Sequence, residues 1–135
     1  RYIEDNSLPC FIHHPVPKSQ IRTVFNQADL LLFNLSSSST TIFQYGISPN
    51  KLADYHAAGK PILSIGQYAR NPVLESDAGF AIPSVQKLPE ALLKFQNLSA
   101  EERNKMGENG FKYAQTHYDW GKLAEKLNTQ LKKLA

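Results

Sequence analysis

The chain alternates short unbroken apolar runs with amphipathic stretches, and that alternation admits few architectures. Ala28-Asp29-Leu30-Leu31-Leu32-Phe33 is almost wholly apolar, and Pro61-Ile62-Leu63-Ser64-Ile65 and Gly79-Phe80-Ala81-Ile82-Pro83 are shorter runs of the same kind. A run without alternating polarity suits a strand covered on both faces, as in a parallel sheet. Parallel strands need long crossovers between them, and the intervening stretches carry helix grammar. Ser48 can cap a helix, and Pro49 fits its first position, where the missing N–H would be unpaired anyway. Leu52, Tyr55 and His56 then share a face, and Gly59 closes the helix. Residues 71–77 make a short helical connection.

The flanks extend this pattern. Cys10-Phe11-Ile12 is predicted as a first short strand, with Pro15 and Pro17 bracketing a turn after it. Residues 18–27 follow as a helix with Ile21, Val24 and Phe25 on one face. Beyond Pro83 the grammar is helical. Residues 85–98 place Leu88, Leu92 and Phe95 on one face, and Ser99 with Glu102 forms a capping box for a helix to about His117. Asp119 caps a last helix through Leu134, with Leu123, Leu127 and Leu131 at i, i+4 and i+8. The prediction is an α/β chain: strand–helix alternation over residues 10–83, then terminal helices over 85–134.

Composition excludes several classes. A length of 135 residues suits one domain, and 41% hydrophobic with 20% charged residues excludes a disordered chain. No apolar run reaches the roughly 18 residues of a membrane-spanning helix. The single cysteine, Cys10, excludes an internal disulfide framework and a cysteine zinc cluster, and is expected to be a small buried hydrophobe. His13 and His14 are adjacent, so on a strand they point apart and cannot ligate one metal; no metal site is expected. His56 is expected beside the core, His117 at a helix end that favours a cation, and Trp120 as the anchor of the last helix. The net charge of +3 is mild, and the basic residues of 87–133 interleave with acids, so no nucleic-acid partner is expected. The hydroxyl run over residues 36–41 reads as a loop, without the Gly-x-Ser-x-Gly elbow of a hydrolase.

Ligands of open parallel sheets bind outside the carboxyl ends of the strands. Here that edge comprises residues 13–18, 34–47 and 66–70. The helix opened by Ser48 offers free N–H groups and a partial positive charge, and Lys51 adds a full one. Lys51 opposes the helix macrodipole there, which a bound anion would offset. Asp54, three residues on and on the same side, can accept hydrogen bonds from a vicinal diol. Phosphate at the helix start and hydroxyls at a carboxylate is the chemistry of a nucleotide. The plainer reading is a surface Lys51–Asp54 ion pair of little energetic weight.

Several segments, in order, carry a resemblance. Ala28-Asp29-Leu30, Tyr45-Gly46-Ile47-Ser48-Pro49-Asn50-Lys51-Leu52-Ala53-Asp54-Tyr55 and Ala57-Ala58-Gly59-Lys60-Pro61-Ile62 are followed by Gly79-Phe80-Ala81-Ile82-Pro83, a helix pair with Arg103, Met106 and Gly107, and Tyr118-Asp119-Trp120. Together they resemble the C-terminal, donor-binding half of glycosyltransferase family 4, most closely bacterial transferases that build surface polysaccharides. The resemblance implies the GT-B fold, in which this piece is part of a Rossmann-like domain. It implies a retaining transfer of sugar from a UDP- or GDP-linked donor to a saccharide or lipid-linked acceptor, in the cytoplasm or at the inner membrane face. Neither cofactor nor metal is implied, since the nucleotide sugar is a substrate.

Carried over by position, the resemblance assigns Asp54 to the ribose hydroxyls and Ser48, Asn50 and Lys51 to the diphosphate. Val16 would meet the base through its backbone, beside His14, which replaces a frequent glycine. Gly46 stands where the family's first acid touches the donor sugar, so sugar contact would fall to Gln44, Tyr45, Gly46 and Ile47, with Thr41 nearby. No catalytic residue is assigned. The cations that normally neutralise the diphosphate follow an earlier strand, which has no counterpart here. Residues 1–135 therefore read as a partial domain, inactive alone and lacking the N-terminal GT-B domain. In that case the Phe11 strand pairs with the Leu30 strand, or an exposed sheet edge recruits another chain. Two other classes stand beside this reading: a non-catalytic nucleotide- or sugar-binding module, and an interaction domain whose last helix docks on a partner.

Overall fold

A computed structural model describes residues 10–12, 14–34 and 50–134. A 3-10 turn, Lys18–Gln20, runs straight into helix α1, Ile21–Asn26. Then come strand β1 (Leu31–Asn34), helix α2 (Asn50–Ala57), strand β2 (Ile62–Ile65), the single turn α3 (Pro72–Glu75) and strand β3 (Gly79–Ile82). A second 3-10 turn, Val85–Lys87, leads into α4 (Leu88–Gln96), α5 (Ala100–His117) and α6 (Trp120–Lys132). The three strands form one parallel sheet in the order β1-β2-β3, a Rossmann-like α/β arrangement followed by C-terminal helices.

Register explains the core. Leu31 pairs with Ile62 and Phe33 with Ser64, while Ile62 pairs with Gly79, so these residues line one face. Both crossover helices pack on that face: Leu52 of α2 and Val73 of α3 join Phe33, Ile62 and Ala78 in the core. Leu52, Ile62, Leu63 and Val73 are fully buried, and each such side chain stabilises the fold by roughly 1.5–3 kcal/mol. The central strand β2 is buried at every position, as the unbroken apolar run predicts.

The run before it behaves differently. Of residues 28–33, only those from Leu31 onward enter a strand, and β1 alternates: Leu31 and Phe33 are buried, while Leu32 is 44% exposed. The expectation of cover on both faces is corrected. On the far face α4 packs against β3, where the Lys94 ammonium lies 4.7 Å from the Phe80 ring centre. Among the described residues β1 pairs only with β2, so its other edge is unpaired.

Three further expectations are corrected. Cys10-Phe11-Ile12 is not a strand; Phe11 is 87% and Ile12 80% exposed, and Cys10 is an exposed thiol, not a buried one. A strand needs a neighbour for its N–H and C=O groups, and none of the described strands pairs with this segment. In α4 the buried positions are Ala91 and Phe95, and Leu92 stands at the margin of that face, partly exposed. Trp120 is 85% exposed and anchors nothing. Tyr118 fills that role: it is half-buried, with its ring 5.8 Å from that of His56 and 5.7 Å from that of Tyr113.

Helix ends follow their residues. The Ser99 hydroxyl accepts from the Glu102 N–H at 3.2 Å, and the Glu102 carboxylate accepts from the Ser99 N–H at 2.8 Å. Asp119 caps α6 through the Lys122 N–H at 2.9 Å, and Asn71 caps α3 through the Val73 N–H at 3.0 Å. Gly59 ends α2 with φ +65°, and α5 crosses there so closely that a Cβ on Gly107 would strike the Gly59 carbonyl.

Candidate functional site

Helix α2 presents two sides. Leu52 and His56, one turn apart, face inward and are fully buried. Asp54 faces outward and is exposed. Tyr55 lies between: its ring meets that of Phe25 edge-on at 5.1 Å and 88°, and its hydroxyl donates to the Leu32 carbonyl at 3.4 Å. The aromatic pair pins α1 beside α2.

A groove of about 440 Å³ opens along this junction, within the range of small-ligand sites. Among the described residues its charged lining is Lys18, Arg22 and Asp54. Its apolar lining is Ile21 and Phe25 from α1 and Phe111 from α5, and the short side chains of Ala57 and Ala58 leave the space open.

Of the sequence-derived site residues, Asp54 lines this groove. Asn50 and Lys51 are exposed at the start of α2 and do not line it. Lys51 makes no ion pair with Asp54; among the described residues the ion pairs are Arg70–Glu75 and Lys87–Glu90. His14 and Val16 are exposed on the segment leading to Lys18 and also stand outside the groove lining. Gln44, Tyr45, Gly46, Ile47 and Ser48 lie outside the described residues, as do His13 and Thr41. The groove brings Asp54 together with Lys18 and Arg22, which motif reading passed over. Their signal was present: 18, 21, 22 and 25 follow i, i+3, i+4, i+7, one helical face that carries both cations and two apolar side chains.

Behind Asp54 a buried polar network fixes α2. His56 Nδ1 donates to the Leu52 carbonyl at 2.7 Å, which places its proton, and Nε2 lies 3.0 Å from the Ser76 hydroxyl. That hydroxyl donates to the Pro72 carbonyl at 2.6 Å, with the Val73 carbonyl also in reach at 3.2 Å. Burial holds the His56 pKa below its usual value, and the nearby His117 acts in the same direction. Asn71 Nδ2 donates to the Ser64 hydroxyl at 3.3 Å. At the edge of this network the Arg70 guanidinium grips Glu75 at 2.9 and 3.1 Å and holds its carboxyl below the usual range. The Tyr113 hydroxyl donates to Glu75 at 3.1 Å; burial first, and this carboxylate second, push the phenol up to about 12.

No family model matches the chain, and no curated protein matches it in sequence. A functional reading therefore rests on the residues and their arrangement.

Proposed function

We propose that this chain is the donor-binding part of a glycosyltransferase that moves a sugar from a nucleotide-sugar donor to a saccharide or lipid-linked acceptor in cell-surface polysaccharide synthesis. One observation supports this above the others: Asp54, on the crossover helix that follows a parallel strand, stands exposed in an open groove whose other charged groups, among the described residues, are cations. A carboxylate so placed accepts a pair of hydroxyls, as a ribose presents them, beside cations suited to phosphate. In the reaction the bond from the anomeric carbon to the diphosphate oxygen breaks, and charge grows on that oxygen. The resemblance gives the role of stabilising it to the N–H groups and Lys51 at the start of α2, which stand outside the groove lining.

Retention of configuration, independence from metal and a site of action at the inner membrane face follow from the resemblance. No helix of the described residues is long and apolar enough to cross a membrane. The second reading, a non-catalytic nucleotide- or sugar-binding module, is favoured by Gly46, which leaves the position of the family's first acid without a side chain.

Calorimetry with UDP, GDP and their sugars tests the proposal. Binding at millimolar or tighter affinity is expected, weakened about tenfold by Asp54→Ala, the loss of one charged hydrogen-bond acceptor. Absence of binding by every nucleotide overturns both readings. Binding without nucleotide release in the presence of acceptor favours the module.

A further inference from the structure

Lys18 and Arg22 stand out among the basic side chains near the groove. They lie four residues apart, hence one turn apart on the same side, where like charges repel. Among the described residues neither has an acid within ion-pair distance or a hydrogen-bond acceptor for its side chain, whereas Arg70 and Lys87 are both paired with glutamates. No acid occupies the first turn of either the 3-10 turn or α1 to offset them. Both line the groove, and the wall beside them is apolar: Ile21, Phe25 and Phe111. Such a wall reduces the water that screens a charge, so an anion held between the two cations is attracted more strongly than on an open surface. Asp54 shares the groove and disfavours a ligand that is anionic throughout, but it accepts hydroxyls.

We propose that Lys18 and Arg22 clamp the phosphate of a phosphorylated, hydroxyl-bearing ligand in this groove, with its hydroxyls on Asp54 and its planar or apolar body against Phe25 and Phe111. The arrangement takes a nucleoside diphosphate, and in naming that ligand it rests on the nucleotide reading above. It also supplies a cation pair where the resemblance leaves none. The clamp differs from the Lys51 helix start in position, since Lys51 does not line the groove.

The test titrates the full chain with inorganic pyrophosphate, UDP and uridine, each at low and high salt. The variants are the double substitution Lys18→Gln with Arg22→Gln, and Asp54→Ala; all three side chains are exposed, and circular dichroism checks that the fold is kept. The double variant is expected to bind pyrophosphate and UDP at least tenfold more weakly, to lose most of their salt dependence and to bind uridine unchanged. Asp54→Ala should weaken UDP and uridine but leave pyrophosphate binding unchanged or tighter. UDP binding that survives the double variant at full strength overturns the clamp and leaves the nucleotide reading standing. Pyrophosphate bound by the wild type and lost in the double variant, with no nucleotide bound, upholds the clamp and overturns the nucleotide reading. A wild type that binds neither pyrophosphate nor nucleotide overturns both.

Discussion

The inner and outer sides of α2 are built to opposite specifications. Inward, Leu52 and His56 have no exposed surface, and Gly59 at the helix end meets Gly107 of α5 at backbone contact. Outward, Asp54, Ala57 and Ala58 border a groove with two cations unpaired among the described residues and room for a small molecule. One side uses close packing to stabilise the fold, and the other leaves charge uncompensated. The contrast teaches that stability and binding are separable on this helix. Substitutions facing inward should lower stability, and substitutions facing outward should change only affinity.

The sharpest test is Gly107→Ala. The new methyl would strike the Gly59 carbonyl, a backbone atom that cannot swing aside, in a turn already committed to φ +65°. Overpacking of this kind costs about 3 kcal/mol, read by chemical denaturation. A loss under about 1 kcal/mol would show that the seam is looser than the glycines indicate.

Next in size is His56→Leu, which keeps the volume near its original value but removes the ring contacts to the Leu52 carbonyl and the Ser76 hydroxyl. We expect a loss of about 2 kcal/mol at neutral pH, from two buried hydrogen bonds. A pH signature accompanies it. The folded His56 resists protonation, while in the unfolded chain it takes a proton near its ordinary pKa of 6.5. Above that value both states are neutral and stability is flat. As pH falls below it the unfolded state binds the extra proton, so stability drops. Glu75 and Glu102, whose carboxyls are held low, add their own loss only below their ordinary 4.5. His56→Leu should remove the decline between about pH 6.5 and 5 and leave the more acidic one. A wild type with level stability across that window would show that His56 accepts a proton inside the fold.

Asp54→Ala is the outward counterpart. Its carboxylate is exposed and, among the described residues, unpaired, so stability should stay within about 0.5 kcal/mol of the wild type, while nucleotide affinity falls about tenfold, or 1.4 kcal/mol. A thermal melt beside the titration separates the two quantities. A large loss of stability would make Asp54 structural and erase the distinction between the sides.

Much of the inner side was legible in the sequence, because its causes are local. The unbroken run at β2, the short helical connection over 71–77, the capping box of Ser99 with Glu102 and the stop at Gly59 depend on neighbours within a few residues. The outer side was legible only in part. Asp54 could be placed by its spacing from Lys51, and the spacing of Lys18 and Arg22 puts both cations on one helical face, but what that face meets is set by the tertiary contact of Phe25 with Tyr55. The failures share one cause. Cys10-Phe11-Ile12 and Leu32 have the composition of buried strands, but burial needs a neighbour, and hydrophobicity alone does not say whether one is there.

Trp120 gives the smallest expected effect and bears on the same distinction between composition and contact. As the chain's single tryptophan it is the largest apolar side chain available to hold α6, yet 85% of its surface is exposed. Beside it Asp119, small and polar, closes the first turn through the Lys122 N–H. Removing the cap by Asp119→Ala should cost about 1 kcal/mol, whereas Trp120→Ala should change stability by less than about 0.5 kcal/mol. The wild-type emission maximum should lie close to that of a fully hydrated indole, with iodide quenching it as readily as it quenches free N-acetyltryptophanamide. A blue-shifted, protected emission would mean that the indole is covered in solution. The apolar stripe continued by Leu123, Leu127 and Leu131 would then belong to the inward-facing, stabilising class, with α6 seated on a surface and not standing free.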